Sequence, residues 1–183
     1  MRIEPTNVTL HDGRVAVVRS LEPTDAQALL DQRRATSAET HFLVREPEEI
    51  TQTAEEQARQ IADALADPDD CMLAALVDGR LVGSASIMRV SPLAKLRHRA
   101  EFGISLLQEV CDLGLGTALL ARTLEAARAT SFDQIELGVC DDNPRARHVY
   151  EKAGFTEVGV QPRTFKLADG TYRDEVQMVY YLR

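Results

Sequence analysis

Two strand-like runs, Cys71–Val77 and Arg80–Arg89, are separated only by Asp78-Gly79. A two-residue Asp-Gly loop adopts the left-handed backbone that matches the twist of the strands it joins, so this stretch reads as a β-hairpin. It is the strongest local structural signal in the chain, and the other segments are read around it.

Before it, Val15–Ser20 follows the turn signal Asp12-Gly13 and has the β-branched content of a strand. Pro23-Thr24-Asp25 then opens a helix to about Thr36. A polar connection leads to a second helix, about Thr53 to Ala66, with Ala54, Ala58, Ile61 and Leu65 at helical spacing and Asp67-Pro68-Asp69-Asp70 as its stop. After the hairpin, a basic tip (Lys95, Arg97, His98, Arg99) precedes a strand over Ala100–Leu107, a glycine loop, and a helix from Gly116 to about Thr130. Gln134–Val139 is strand-like again, which makes a crossover unit. Asn143-Pro144 opens a short helix by placing a capping side chain before a proline at the first helical position, and Gly154 ends it. Phe155–Pro162 and Tyr172–Leu182 complete the chain as strands around Asp169-Gly170. The pattern predicts an α+β fold, with a mixed central sheet of about seven strands flanked by about four helices.

The 183 residues, 44% of them hydrophobic, suit one domain over 1–183. A net charge of -8 argues against a nucleic-acid partner, because neutralising phosphates needs a basic surface. Cys71, Cys111 and Cys140 lack the spacing of a disulfide framework or a zinc site, so reduced thiols and no metal are expected. The segment MRIEPTNVTLHDGR has no apolar signal-peptide core, and no window approaches the ~18 apolar residues of a membrane-spanning helix. A cytoplasmic protein with no membrane partner is the expectation.

The segment Cys111-Asp-Leu-Gly114-Leu-Gly116-Thr-Ala-Leu-Leu120 joins a strand to a helix. Glycines there let backbone amides converge on an anion while the helix dipole supports it, which points to a phosphate-bearing ligand. Taken alone, a plain strand-to-helix turn fits equally well. A dinucleotide-binding fingerprint would need a third glycine where Leu119 stands, and a Walker loop would need a Gly-Lys-Ser/Thr ending that is absent.

Three ordered pieces carry a more specific signal: Ala100-Glu-Phe-Gly-Ile-Ser-Leu106, Gly114-Leu-Gly-Thr-Ala-Leu-Leu120, and Asp142-Asn-Pro-Arg-Ala146 followed by Tyr150-Glu-Lys-Ala-Gly-Phe155. Together they resemble the GNAT superfamily of N-acetyltransferases, with the flanking elements in that fold's order over nearly the whole chain. The resemblance implies acetyl-CoA as cosubstrate, with its pantetheine against the backbone of Leu106 and Leu107 and its pyrophosphate on the amides of Leu113, Gly114, Leu115, Gly116 and Thr117. It implies cofactor contact for Asn143 and Tyr150, which stand two helical turns apart, and proton donation to the departing thiolate by Tyr150. The competing reading of Tyr150 is a core tyrosine with an exposed hydroxyl.

The attacking amine arrives as ammonium, with a pKa of ~10.4 for a lysine-like group, and must lose a proton. By position Glu101 is similar to the base of histone-acetylating members. Against this, Glu101 could be a surface glutamate paired with Arg97 or Arg99, and deprotonation through water needs no single base. Similar enzymes place the acceptor near His41, Phe42, Arg45, Glu46 and the Arg97–Arg99 tip. The segments Arg163–Lys166 and Asp169–Glu175 resemble the RimJ/RimL-like and small-amine-acetylating branches, which leaves a small-molecule amine or a peptide N-terminus as acceptor. A homodimer is expected by resemblance alone.

The sequence departs from the family pattern at Cys111-Asp112, where Gln or Arg is usual. A carboxylate beside a pyrophosphate repels it unless turned outward, so Asp112 is expected to face solvent. The same departure motivates the alternative of a non-catalytic CoA-binding domain on this fold.

Overall fold

Strand β3 (Cys71–Val77) decides the layering. Cys71, Leu73, Ala75 and Val77 enter one hydrophobic cluster, while Met72, Ala74 and Leu76 pack into another. A strand that is apolar on both faces needs a packed layer on each side of its sheet. The computed structural model, which describes residues 1–183, has both layers. Helices α1 (Ala26–Glu39) and α2 (Ala54–Ala66) cover one face. The other face is covered by α3 (Leu115–Ala127) and α4 (Pro144–Ala153), which enclose the larger cluster.

The sheet also contains β1 (Thr6–Thr9), β2 (Val15–Ser20), β4 (Arg80–Arg89), β5 (Arg99–Leu106), β6 (Gln134–Cys140), β7 (Thr156–Lys166) and β8 (Tyr172–Tyr181), in the order β1-β2-β3-β4-β5-β6-β8-β7. The β3–β4 hairpin has the expected bounds. Eight strands are present where about seven were expected. The addition is β1, a polar and mostly exposed edge strand that pairs antiparallel with β2 and carries no apolar alternation to reveal it. Strand β7 runs past its expected end at Pro162 to Lys166, through a register break between Gln161 and Phe165 with Arg163 at φ 54°. It is the last strand of the sheet, so the proline's missing N–H deprives no neighbour. Helix α1 continues to Glu39 instead of ending near Thr36, and α3 stops at Ala127 instead of near Thr130.

One junction positions the site. The neighbouring strands β5 and β6 are parallel, and their register covers only Arg99↔Gln134, Ala100↔Ile135 and Glu101↔Glu136. The Arg99 guanidinium closes that end with two bonds to Glu136, at 2.5 and 2.6 Å. Beyond it β5 stays on β4 as far as Leu106, while β6 stays on β8 as far as Cys140. The two strands therefore part into a wedge whose inner edges lack a ladder partner.

Candidate functional site

The wedge opens toward the glycine loop. Gly114 is left-handed, at φ 86°, and caps α3. The first bond of the helix runs from Ala118 N–H to the Gly114 carbonyl at 3.1 Å, so the amides of Leu115, Gly116 and Thr117 have no intrahelical acceptor. Free amides and the positive end of a helix dipole are what an anion needs for binding. Two glycines make room for the Leu106 side chain: a Cβ at Gly83 would collide with it, and one at Gly116 would sit 3.2 Å from its Cδ1. The Leu107 backbone is engaged within the chain, its N–H donating to Val82 at 2.9 Å and its carbonyl accepting from Val110 at 3.1 Å.

The loop entrance has a physical explanation. The Cys111 thiol donates back to the Leu107 carbonyl at 3.5 Å. Asp112 sits at φ 61°, a conformation that Asp tolerates better than most side chains. As expected it faces solvent, and its carboxylate accepts from Arg145 Nη1 at 2.8 Å. The sequence did not reveal the part played by His11. Its N–H donates to the Leu113 carbonyl at 3.1 Å, its Nδ1 lies 3.3 Å from the Asp112 carbonyl, and its ring lies against Gly114. The β1–β2 turn thus braces the loop from a distant part of the chain.

Strand alternation puts Tyr150 and Glu101 on opposite faces of β5. Phe102 points into the α3/α4 layer, where the Tyr150 ring meets it edge-on with centroids 6.1 Å apart and also contacts Phe155 at 5.9 Å. Burial pushes the Tyr150 phenol up to about 12, with no charged partner contributing. Asn143 caps α4, its Oδ1 accepting from Ala146 N–H at 3.1 Å, which leaves its Nδ2 for any ligand. On this same face a cavity of about 570 Å³ between α3 and α4 begins at Thr117 and is lined by Arg128, His148 and Lys152.

Glu101 points the other way, into a cavity of about 440 Å³ shared with Gly103, Ser105, Ser84, Arg33 and Arg45. It is not the ion-pair partner of Arg99, which is held by Glu136, nor of Arg97. Behind the cavity wall, buried Gln32 bonds Ser105 Oγ at 3.1 Å and accepts from Ser84 Oγ at 3.3 Å, which satisfies polar groups that burial would otherwise penalise. Glu175 of β8 also lies on this face, over Gly138, where a Cβ would collide with it. Strand alternation in Tyr172–Leu182 was the signal that could have located this second carboxylate.

The acceptor candidates divide. Arg45 lines the cavity, whereas Glu46 forms a capping box with Glu49. His41 packs on Phe42 and bonds Asp142 at 2.9 Å, and Arg173 bonds the same Asp142 oxygen at 2.5 Å. Burial alone would raise the Asp142 pKa, but the bonds from Arg173 and His41 outweigh it and hold the carboxyl below its usual range. Of the basic tip, Arg99 is bound to Glu136, and the Arg97 carbonyl accepts from Arg89 at 2.6 Å.

No helix is long and apolar enough to cross a membrane. No cluster of three or more His, Cys, Asp or Glu side chains could hold a metal ion.

Among known proteins, an uncharacterised N-acetyltransferase of Mycobacterium bovis is 32% identical over 119 residues, 65% of this chain and 72% of its own length. A mycothiol acetyltransferase of Beutenbergia cavernae is 51% identical over 47 residues, which is 26% of this chain and spans only 16% of that protein's length. The solved GNAT-family acetyltransferase of Streptococcus pneumoniae superposes with a TM-score of 0.87 at 27% identity, covering 91% of this chain and 99% of that one. A putative acetyltransferase of Salmonella typhimurium, solved with acetyl-CoA, has the same fold, with a TM-score of 0.81 at 18% identity over 92% and 94% of the two chains. Residues 33–155 match the acetyltransferase (GNAT) family model, and the chain belongs to that family.

Proposed function

We propose that this protein transfers the acetyl group of acetyl-CoA to a primary amine, on a small molecule or a peptide N-terminus, by direct attack on the thioester. The observation that carries the reading is the wedge, where the β5–β6 ladder ends at Glu101↔Glu136 and the uncapped amides of α3 stand at its mouth. Unpaired strand edges suit a ligand that brings its own amide groups, and the α3 amides suit its pyrophosphate. In this reading Leu106 lines the pantetheine while Leu107, its backbone bonded to Val82 and Val110, anchors that end of β5 instead of touching the ligand; Leu113 through Thr117 hold the pyrophosphate, and Asn143 adds a side-chain contact. The bound cosubstrate supplies the activated acetyl carbonyl.

The opposed faces of β5 divide the remaining work. Glu101, on the acceptor side, takes the proton that the ammonium must lose, directly or through water. Tyr150, on the α3/α4 side, donates its hydroxyl proton to the sulfur as the carbon–sulfur bond breaks. With its pKa pushed up to about 12, Tyr150 keeps that proton throughout the neutral range, so the donor is present in every molecule. From ammonium to amide the nitrogen loses two protons: one is matched by the proton the thiol gains, the other passes through Glu101 to solvent, and the products are an N-acetyl amide, free CoA and one proton.

Replacing Tyr150 with Phe tests the acid role. The turnover number is expected to fall about 100-fold or more while acetyl-CoA affinity in a calorimetric titration holds, and full turnover by this variant would sink the assignment. Reduced thiols at Cys71 and Cys140, both buried with pKa values near 11, suit a cytoplasmic location. The homodimer implied by the family resemblance is tested by light scattering.

A further inference from the structure

The acceptor cavity has an electrostatic feature that acetyl transfer does not use. Arg33 of α1 and Arg45 of the following loop both line it, and neither guanidinium forms an ion pair with a carboxylate. Elsewhere in the same region arginines are paired: Arg34 with Asp31 at 3.4 Å, and Arg19 with Asp25 at 2.6 Å. Arg33 is half-buried, and its one polar partner in the chain is neutral, the Gln57 side-chain oxygen Oε1, which accepts from Nη1 at 2.9 Å. Gln57 is itself wholly buried with Nε2 unpartnered, so this corner holds donors in excess of acceptors. Burial and the neighbouring Arg45 charge both pull the Arg33 pKa below its ordinary value. Two like charges sharing a concave site repel each other, and an anion bridging them would relieve that repulsion.

We propose that Arg33 and Arg45 form an anion seat in the acceptor site, and that the acceptor is a small zwitterion, an amine that also carries a carboxylate, phosphonate or similar anion. The inference rests on the acetyltransfer reading and narrows it. Glu101 lies in the same cavity, so one pocket offers a carboxylate for the ammonium end and two guanidiniums for the anionic end. A volume of about 440 Å³ suits a small molecule. The net charge of the chain, -8, disfavours the approach of a dianion, whereas a zwitterion carries no net charge and meets no such barrier. A polycation would place positive charge against the arginine pair, and an ordinary peptide N-terminus brings no anion near its amine.

The test measures thiol release from acetyl-CoA with matched amines: α- and ω-amino acids, aminoalkyl phosphonates, the corresponding carboxamides, and polyamines. The kcat/KM of the best anionic amine should exceed that of its carboxamide by about 10- to 100-fold. That preference should collapse toward parity in Arg45→Gln, an exposed loop position, and in Arg33→Gln, with acetyl-CoA titration reporting that each variant is folded. Turnover of carboxamides or polyamines with equal or better kcat/KM overturns the anion seat and leaves acetyl transfer standing. Binding of acetyl-CoA with no turnover of any amine overturns the acetyltransfer reading and this inference with it. A preference that survives both substitutions places the anion on other residues and overturns the assignment.

Discussion

The glycine loop at the mouth of the wedge and the cavity that holds Glu101 are both close to the end of β5, yet they are built from different material. The loop is contiguous, Leu113 to Thr117, and offers main-chain amides. The cavity draws single side chains from α1, the loop after it, β4 and β5. A site made of backbone tolerates side-chain change and punishes backbone change, and a site made of side chains does the reverse.

Substitutions in both regions probe that contrast, beginning with the largest expected effect. Glu101→Gln should lower kcat by about 100-fold with the acetyl-CoA dissociation constant unchanged. If Glu175→Gln carries that loss in its place, the base sits on β8 and the assignment of roles in the cavity is wrong. Gly114→Val should weaken acetyl-CoA binding by about 10- to 100-fold, because a β-branched residue at φ 86° is strained and its Cβ would press on His11. Asp112→Asn keeps a side chain that tolerates the left-handed backbone and removes only a solvent-exposed pair with Arg145, so acetyl-CoA affinity should change by less than about 3-fold. A large change there would mean that loop side chains matter after all.

The smallest effect is expected at Asp142, whose bonds tether His41 to the start of α4. Its folded-state pKa is depressed, so its contribution to stability is fully present above the ordinary aspartate value of about 3.9. That contribution fades as pH falls through the lower folded value. Asp142→Asn should therefore flatten the acid limb of a thermal-melt pH series below about pH 4. An unchanged acid limb would show that the tether carries no stability.

The contrast between the regions also explains what could be read from the sequence. Turn and capping residues act locally, so Asp78-Gly79 and Asn143-Pro144 with Gly154 announced their elements within a residue or two. The glycine loop was legible for the same reason. The polar edge strand β1 was not, because pairing with β2 rather than its own composition makes it a strand. His11 and Arg33 were invisible as site residues because their meaning depends on the folded surroundings: Gly114 for one, and for the other a cavity shared with Arg45 in which neither arginine has an ion-pair partner. The anomaly at Cys111-Asp112 was visible, but its explanation needed the backbone angle and Arg145.

The short β5–β6 ladder also has a mechanical consequence. The sheet is two slabs, β1 to β5 and β6 to β8, hinged along three residue pairs and one arginine–glutamate clasp. A ligand lodged between the slabs would act as the missing rungs. Cosubstrate binding should then raise the melting temperature and slow amide exchange along the far ends of both strands, so that stiffness of the enzyme tracks its state of loading.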